Sequence, residues 1–60
     1  MTNEAVVELL SRIGVEIRWI TAKWLLSDVF NVTDAECTTV LGELVDKGLV
    51  KHDRGWIRVA

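Results

Sequence analysis

Two hydrophobic periods alternate along the chain, and the changes between them divide it into elements. From Asn3 to Ile13 the period is helical. Val6, Leu9, Leu10 and Ile13 share one side, and Glu4, Glu8, Ser11 and Arg12 share the other. Thr2 or Asn3 can cap this helix, Glu4 suits its first turn, and Glu8 with Arg12 makes an i,i+4 pair. Gly14 stands where a C-cap glycine belongs. Residues 15–19, Val-Glu-Ile-Arg-Trp, then alternate apolar and polar, which predicts a short half-buried strand. The competing reading continues the first helix, because Ile13, Ile17, Ile20 and Trp24 also fit a helical period. Gly14 and the β-branched and aromatic residues favour the strand.

Helical spacing returns at Ala22, Leu25, Leu26, Val29 and Phe30, with Trp24 and Asp28 turned away. A second helix is expected over roughly 22–30, with Thr21 as N-cap and Ile20 and Leu25 as a hydrophobic staple. Asn31-Val32-Thr33 reads as a tight turn. Thr33-Asp34-Ala35-Glu36 is a capping box, in which the Thr33 hydroxyl accepts from the Glu36 amide and the Glu36 carboxylate reaches back to the Thr33 amide. Val32 and Cys37 supply its staple. The third helix runs to about Lys47, stops at Gly48, and buries Cys37, Val40, Leu41 and Leu44. The remaining residues read as a β-hairpin: Leu49–His52, a turn through Asp53-Arg54-Gly55, then Trp56–Val59.

The order helix, strand, helix, turn, helix, strand, strand resembles the winged helix-turn-helix arrangement of small bacterial, archaeal and phage regulators. Lys23–Gly42 is similar to a helix-turn-helix motif, with Leu26, Phe30, Val32, Cys37 and Val40 at its apolar positions and Ser27 at its small one. Asn31 stands where the family usually has a turn glycine, and asparagine also tolerates the left-handed conformation. Leu44–Val50 resembles the helix-to-wing junction. The likeness spans about residues 5–59. It implies one α+β domain over 1–60, three helices with a small antiparallel sheet. It also implies a DNA-binding transcriptional regulator, acting as a dimer on double-stranded DNA, with no cofactor. The same fold also serves RNA binding and protein–protein contact.

In that family the third helix enters the major groove and the wing touches backbone or minor groove. Carried over, the outward face is Ala35, Thr38, Thr39, Gly42 and Asp46. It has no Arg, Lys, Asn or Gln to read base edges with paired hydrogen bonds. Thr38 and Thr39 are left for phosphates or thymine methyls. Asp34, Glu36, Glu43 and Asp46 on the same helix oppose a phosphate chain. The small-residue ridge Ala35-Thr39-Gly42 also suits close packing of a second copy or a protein partner, or is a plain solvent face. Trp24 lies opposite Leu26 and Val29. It is either an interface anchor or covered by the N-terminal segment or a strand. Trp19 is expected in the core and Trp56 on the outer face of the wing, against an arginine stem.

Charge changes the picture once it is divided. The 60 residues carry a net −2, which argues mildly against nonspecific nucleic-acid binding. Residues 1–46 hold three Lys/Arg against eight Asp/Glu, a balance of −5. Residues 47–60 hold Lys47, Lys51, Arg54 and Arg58 against Asp53, a balance of +3. Any phosphate contact therefore belongs to the wing, although edge cations also guard a hairpin against edge-to-edge pairing. His52 adds charge there when protonated.

Composition narrows the rest. Half the residues are hydrophobic, which excludes a disordered tail. A chain this short buries only about 60% of its unfolded surface, so it suits one marginal domain and a partner subunit. No apolar run approaches a membrane span, and no signal segment opens the chain. One cysteine points to a reducing, cytosolic setting. Cys37 falls on a buried stripe and reads as a small hydrophobe. With His52 it makes neither a zinc site nor a triad, and no glycine-rich phosphate loop is present. An enzyme is not expected. The alternative to DNA binding is an interaction module that keeps the winged shape and has lost base readout. Its contacts would be Trp24, Ala35 and Gly42.

Overall fold

Local signals set the helix ends. In the computed structural model, which describes all 60 residues, α1 spans Asn3–Ile13. The Thr2 hydroxyl accepts from the Ala5 amide at 3.1 Å. Gly14 closes α1 at φ 73°, in the left-handed region that glycine enters without a Cβ penalty. α3 spans Asp34–Asp46, and the Thr33 hydroxyl accepts from the Glu36 amide at 3.2 Å. The reciprocal bond expected from the Glu36 carboxylate is not formed; that side chain is exposed and solvated instead. α3 ends in a Schellman motif. The Leu49 amide donates to the Leu44 carbonyl and the Gly48 amide to that of Val45, each at 3.0 Å, with Gly48 at φ 74°.

The middle of the chain departs from the expectation. β1 is only Ile17–Arg18, and α2 begins at Trp19 and runs to Phe30. The strand predicted over 15–19 is thus three residues too long, and Trp19 belongs to the helix. The cause is non-local. Arg18 is the last residue of β1 to pair with the hairpin, and the Trp19 amide donates to the Gly55 carbonyl at 2.7 Å. The chain turns into the helix at once. Thr21 is therefore inside the first turn, not the N-cap. The cap residue is Arg18, which makes no side-chain capping bond. Ile20 lies inside the helix, not before its cap, so it does not hold the staple position expected of it with Leu25, and it is half exposed. Val29, expected inside, is also half exposed, because it lies at the rim of the stripe that Ala22 and Leu26 bury.

Asn31 ends α2 in the left-handed region at φ 54°. The Ser27 hydroxyl donates to the Val32 carbonyl at 2.8 Å and closes the turn between α2 and α3. The hairpin is β2, Val50–Asp53, and β3, Trp56–Val59. Its two-residue turn has positive φ at Arg54 (51°) and Gly55 (84°). That is the type I′ sense, whose twist matches the flanking strands. The antiparallel sheet has the order β1-β3-β2. Three helices with this small sheet make an α+β fold, compatible with winged helix-turn-helix topology.

One core joins the two layers. It comprises Val6 and Leu10 of α1, Ala22 and Leu26 of α2, Cys37, Leu41 and Leu44 of α3, and Val50 and Ile57 of the sheet. Val40 packs at its edge, and Trp19 is half buried against it. No polar or charged residue is buried. No helix is long and apolar enough to cross a membrane.

Candidate nucleic-acid interface

Strand register sorts the hairpin residues onto two faces. Val50 pairs with Val59, Lys51 with Arg58, His52 with Ile57, and Asp53 with Trp56. Paired residues share a face, and successive residues alternate. Val50, His52, Ile57 and Val59 therefore lie on the core side, and Lys51, Asp53, Trp56 and Arg58 on the outer side. β1 extends both sets, since Ile17 pairs with Ile57 and Arg18 with Trp56. The His52 ring lies at the rim of the core side, 4.6 Å from that of Trp19 between centroids. The hairpin is thus two strands of a three-stranded sheet, with Lys51 and Arg58 on its outer face.

That face carries Lys51 directly opposite Arg58. Like charges so placed repel. Arg18 lies over Trp56, with its guanidinium carbon 4.8 Å from the ring centroid, within reach of a cation–π contact. Trp56 is on the outer face as expected, and the arginine against it is Arg18. The remaining basic residues flank the sheet. Lys47 is the C-cap of α3, and Arg54 stands at the tip of the hairpin turn. The sheet brings Lys51 and Arg58 together and holds Lys47 and Arg54 at opposite ends of the hairpin. All four are exposed.

The ion pairs of the chain lie elsewhere. Arg12 meets Glu8 at 2.6 Å along α1, and Lys23 meets Asp34 at 3.0 Å between α2 and α3. Arg18, Lys47, Lys51, Arg54 and Arg58 enter no ion pair and donate no side-chain hydrogen bond. Asp53 shares the outer face without pairing to any of them.

On α3, Ala35, Thr38 and Thr39 are exposed and Gly42 is half exposed. The Thr39 hydroxyl donates to the Ala35 carbonyl at 3.0 Å, which leaves its lone pairs but engages its proton. Ala35 and Thr39 border a shallow apolar groove with Met1, Val32 and Val40 on its walls. Gly42 is outside that groove, and a Cβ built there meets nothing within 4 Å. Trp24 is on α2, 67% exposed, one turn from the half-exposed Ile20. Neither the N-terminal segment nor a strand covers it.

Cys37 is fully buried, and its thiol lies 3.5 Å from the Lys23 carbonyl oxygen, which accepts from it. Burial pushes its pKa up, and the Asp34 and Glu36 carboxylates push in the same direction. No group of three or more His, Cys, Asp and Glu side chains comes together that could hold a metal ion.

Arg18 is a basic residue of this sheet face that the sequence alone does not place there. Its place on the polar side of an alternating segment was readable. What put it beside the wing is pairing with Trp56, 38 positions later. Fold and surface together give a small α+β unit whose outer sheet face carries Arg18, Lys51 and Arg58 without ion pairs. No protein-family model matches the chain, and neither a curated protein nor a solved structure matches it.

Proposed function

We propose that this chain is a small DNA-binding protein, a transcriptional regulator of the winged helix-turn-helix kind. Lys47, Lys51, Arg54 and Arg58 meet the phosphodiester backbone, and Thr38 and Thr39 of α3 add limited groove contacts. The observation that carries this reading is the partition of the cations. The two outside the sheet region are neutralised by carboxylates, and those on the sheet, its turn and the adjoining helix end are all unpaired. Arg54 strengthens it. The first position of a type I′ turn favours Asn, Asp or Gly, yet an arginine is held there at φ 51°. Backbone cost borne at an exposed tip suggests a use for the side chain. The acidic α3 implies that affinity resides in backbone contacts, with weak readout of base edges.

Binding of this kind is strongly salt-dependent. The test is fluorescence anisotropy with a pool of random duplexes over a salt series. A steep fall of affinity with salt is expected, shallower by about one unit of log–log slope for each wing cation changed to alanine. No binding at low salt would sink the proposal.

A second reading rests on Trp24 and Ile20, an exposed apolar pair on α2. It makes the chain an interaction module that binds a second copy or a protein partner through Trp24 or the Ala35-Thr39-Gly42 face. Trp24→Ala or Gly42→Glu then breaks the complex while the fold survives. A monomer by sedimentation at high concentration, with no partner co-purifying, removes this reading.

A further inference from the structure

We infer that the phosphate-binding surface crosses all three strands of the sheet, with Arg18 of β1 as a DNA-contacting residue that Trp56 holds in place. This rests on the DNA-binding reading above and assigns it a residue outside the helix-turn-helix and the hairpin. Arg18 is paired through its backbone with Trp56, and its guanidinium lies on the indole. A stacked guanidinium loses rotamer freedom before any ligand arrives, so less remains to be lost on binding. Its planar fork of N–H donors suits bidentate contact with phosphate oxygens. None of those donors has a partner within the chain.

Two basic neighbours agree, and one acid, the exposed Glu16 bordering the same surface as Arg58, opposes. Arg58 and Lys51 follow on the same face, directly opposite one another. That like-charge pairing is unfavourable in the free protein and is relieved when an anion lies across it. A phosphodiester strand running over β1, β3 and β2 meets Arg18, Arg58 and Lys51 in turn. That path crosses the face diagonally, from the row that Arg18 shares with Trp56 and Asp53 to the row of Arg58 and Lys51, and so passes beside the Asp53 carboxylate. Trp56 acts through Arg18 and is a positioning residue.

The full chain is titrated against a labelled random duplex of about 20 base pairs over a salt series. Arg18→Ala is expected to lower the slope by about 0.9 and the affinity about eightfold near 0.1 M salt, the value of one released counterion. Arg18→Lys restores the slope, because charge is kept. Trp56→Phe keeps the slope and loses affinity severalfold, because charge remains while the wider indole platform is gone. A purely structural role for the stack predicts instead that these variants lower the melting temperature and leave the slope alone. Arg12→Ala, in an ion pair on α1, serves as the control and leaves the slope unchanged. If Arg18→Ala binds like the wild type while Arg58→Ala loses slope, the DNA-binding reading stands and this inference is overturned. If the wild type itself does not bind, both fall.

Discussion

Replacing Arg54 with asparagine separates backbone cost from function in one substitution. Arg54 holds φ at 51° in the first position of the hairpin turn, with Gly55 at 84° after it. An ordinary L-residue in the left-handed region costs roughly 1–2 kcal/mol, and asparagine recovers part of that by local hydrogen bonding. Asn-Gly is also the favoured pair for this turn. Arg54→Asn should therefore stabilise the domain by about 0.5–1 kcal/mol. For a domain of this size that raises the melting temperature by about 2–8 °C. The same change removes one phosphate contact. It should lower the salt slope by about 0.9 and weaken duplex binding about eightfold near 0.1 M salt. Arg54→Lys keeps both charge and backbone cost, so neither property should move far. Thermal denaturation followed by circular dichroism reads the first effect, and anisotropy titration the second. A less stable Arg54→Asn variant would refute the account of the turn. A stabilised variant with an unchanged slope would refute the contact.

Three further outcomes follow from the same structure. Gly42 lies inside α3 with open space around its Cβ position, so Gly42→Ala should stabilise the isolated chain by about 0.5–1 kcal/mol in urea denaturation; a loss would refute the open space at this position. Leu26 is fully buried at the centre of the core, and Leu26→Ala should cost about 2–5 kcal/mol, enough to unfold much of a marginal domain at 37 °C, as near-ultraviolet dichroism would show. The folded-state pKa of the Cys37 thiol is raised, so the fold favours the neutral form. Its contribution is full below the unfolded thiol's titration range, near pH 8.5, and is lost as pH rises through the higher folded value. Urea midpoints should fall from neutral pH to about pH 10, and Cys37→Ala should flatten that decline.

What could be read from the residues was what neighbours in the chain decide. The caps at Thr2 and Thr33, the stops at Gly14 and Gly48, and the Arg54-Gly55 turn each depend on a few adjacent positions. The caps and stops stand where the pattern puts them, while the turn is one residue shorter than the expected Asp53-Arg54-Gly55, because Asp53 pairs with Trp56 and extends β2. The start of α2 departs from the pattern because Thr21 satisfies the local rules for an N-cap, yet the cap is Arg18. The deciding bond, from the Trp19 amide to Gly55, spans most of the chain. The same distance hid Arg18. Alternation gave it an outward side chain, but no local rule reports which strand lies alongside. The basic wing residues were legible as a charge imbalance. Their arrangement, with Lys51 opposite Arg58, required the register.

The strand order β1-β3-β2 also bears on how the domain comes into being. Its middle strand is the last that a ribosome makes. Until Trp56–Val59 emerges, β1 and β2 have nothing to pair with, Val50 has no cross-strand neighbour, and α1 lacks one wall of its core. The nascent domain therefore has no partial sheet to rest on. Loss of β3 would therefore remove every strand pairing in the sheet and the Ile57 side chain from the core.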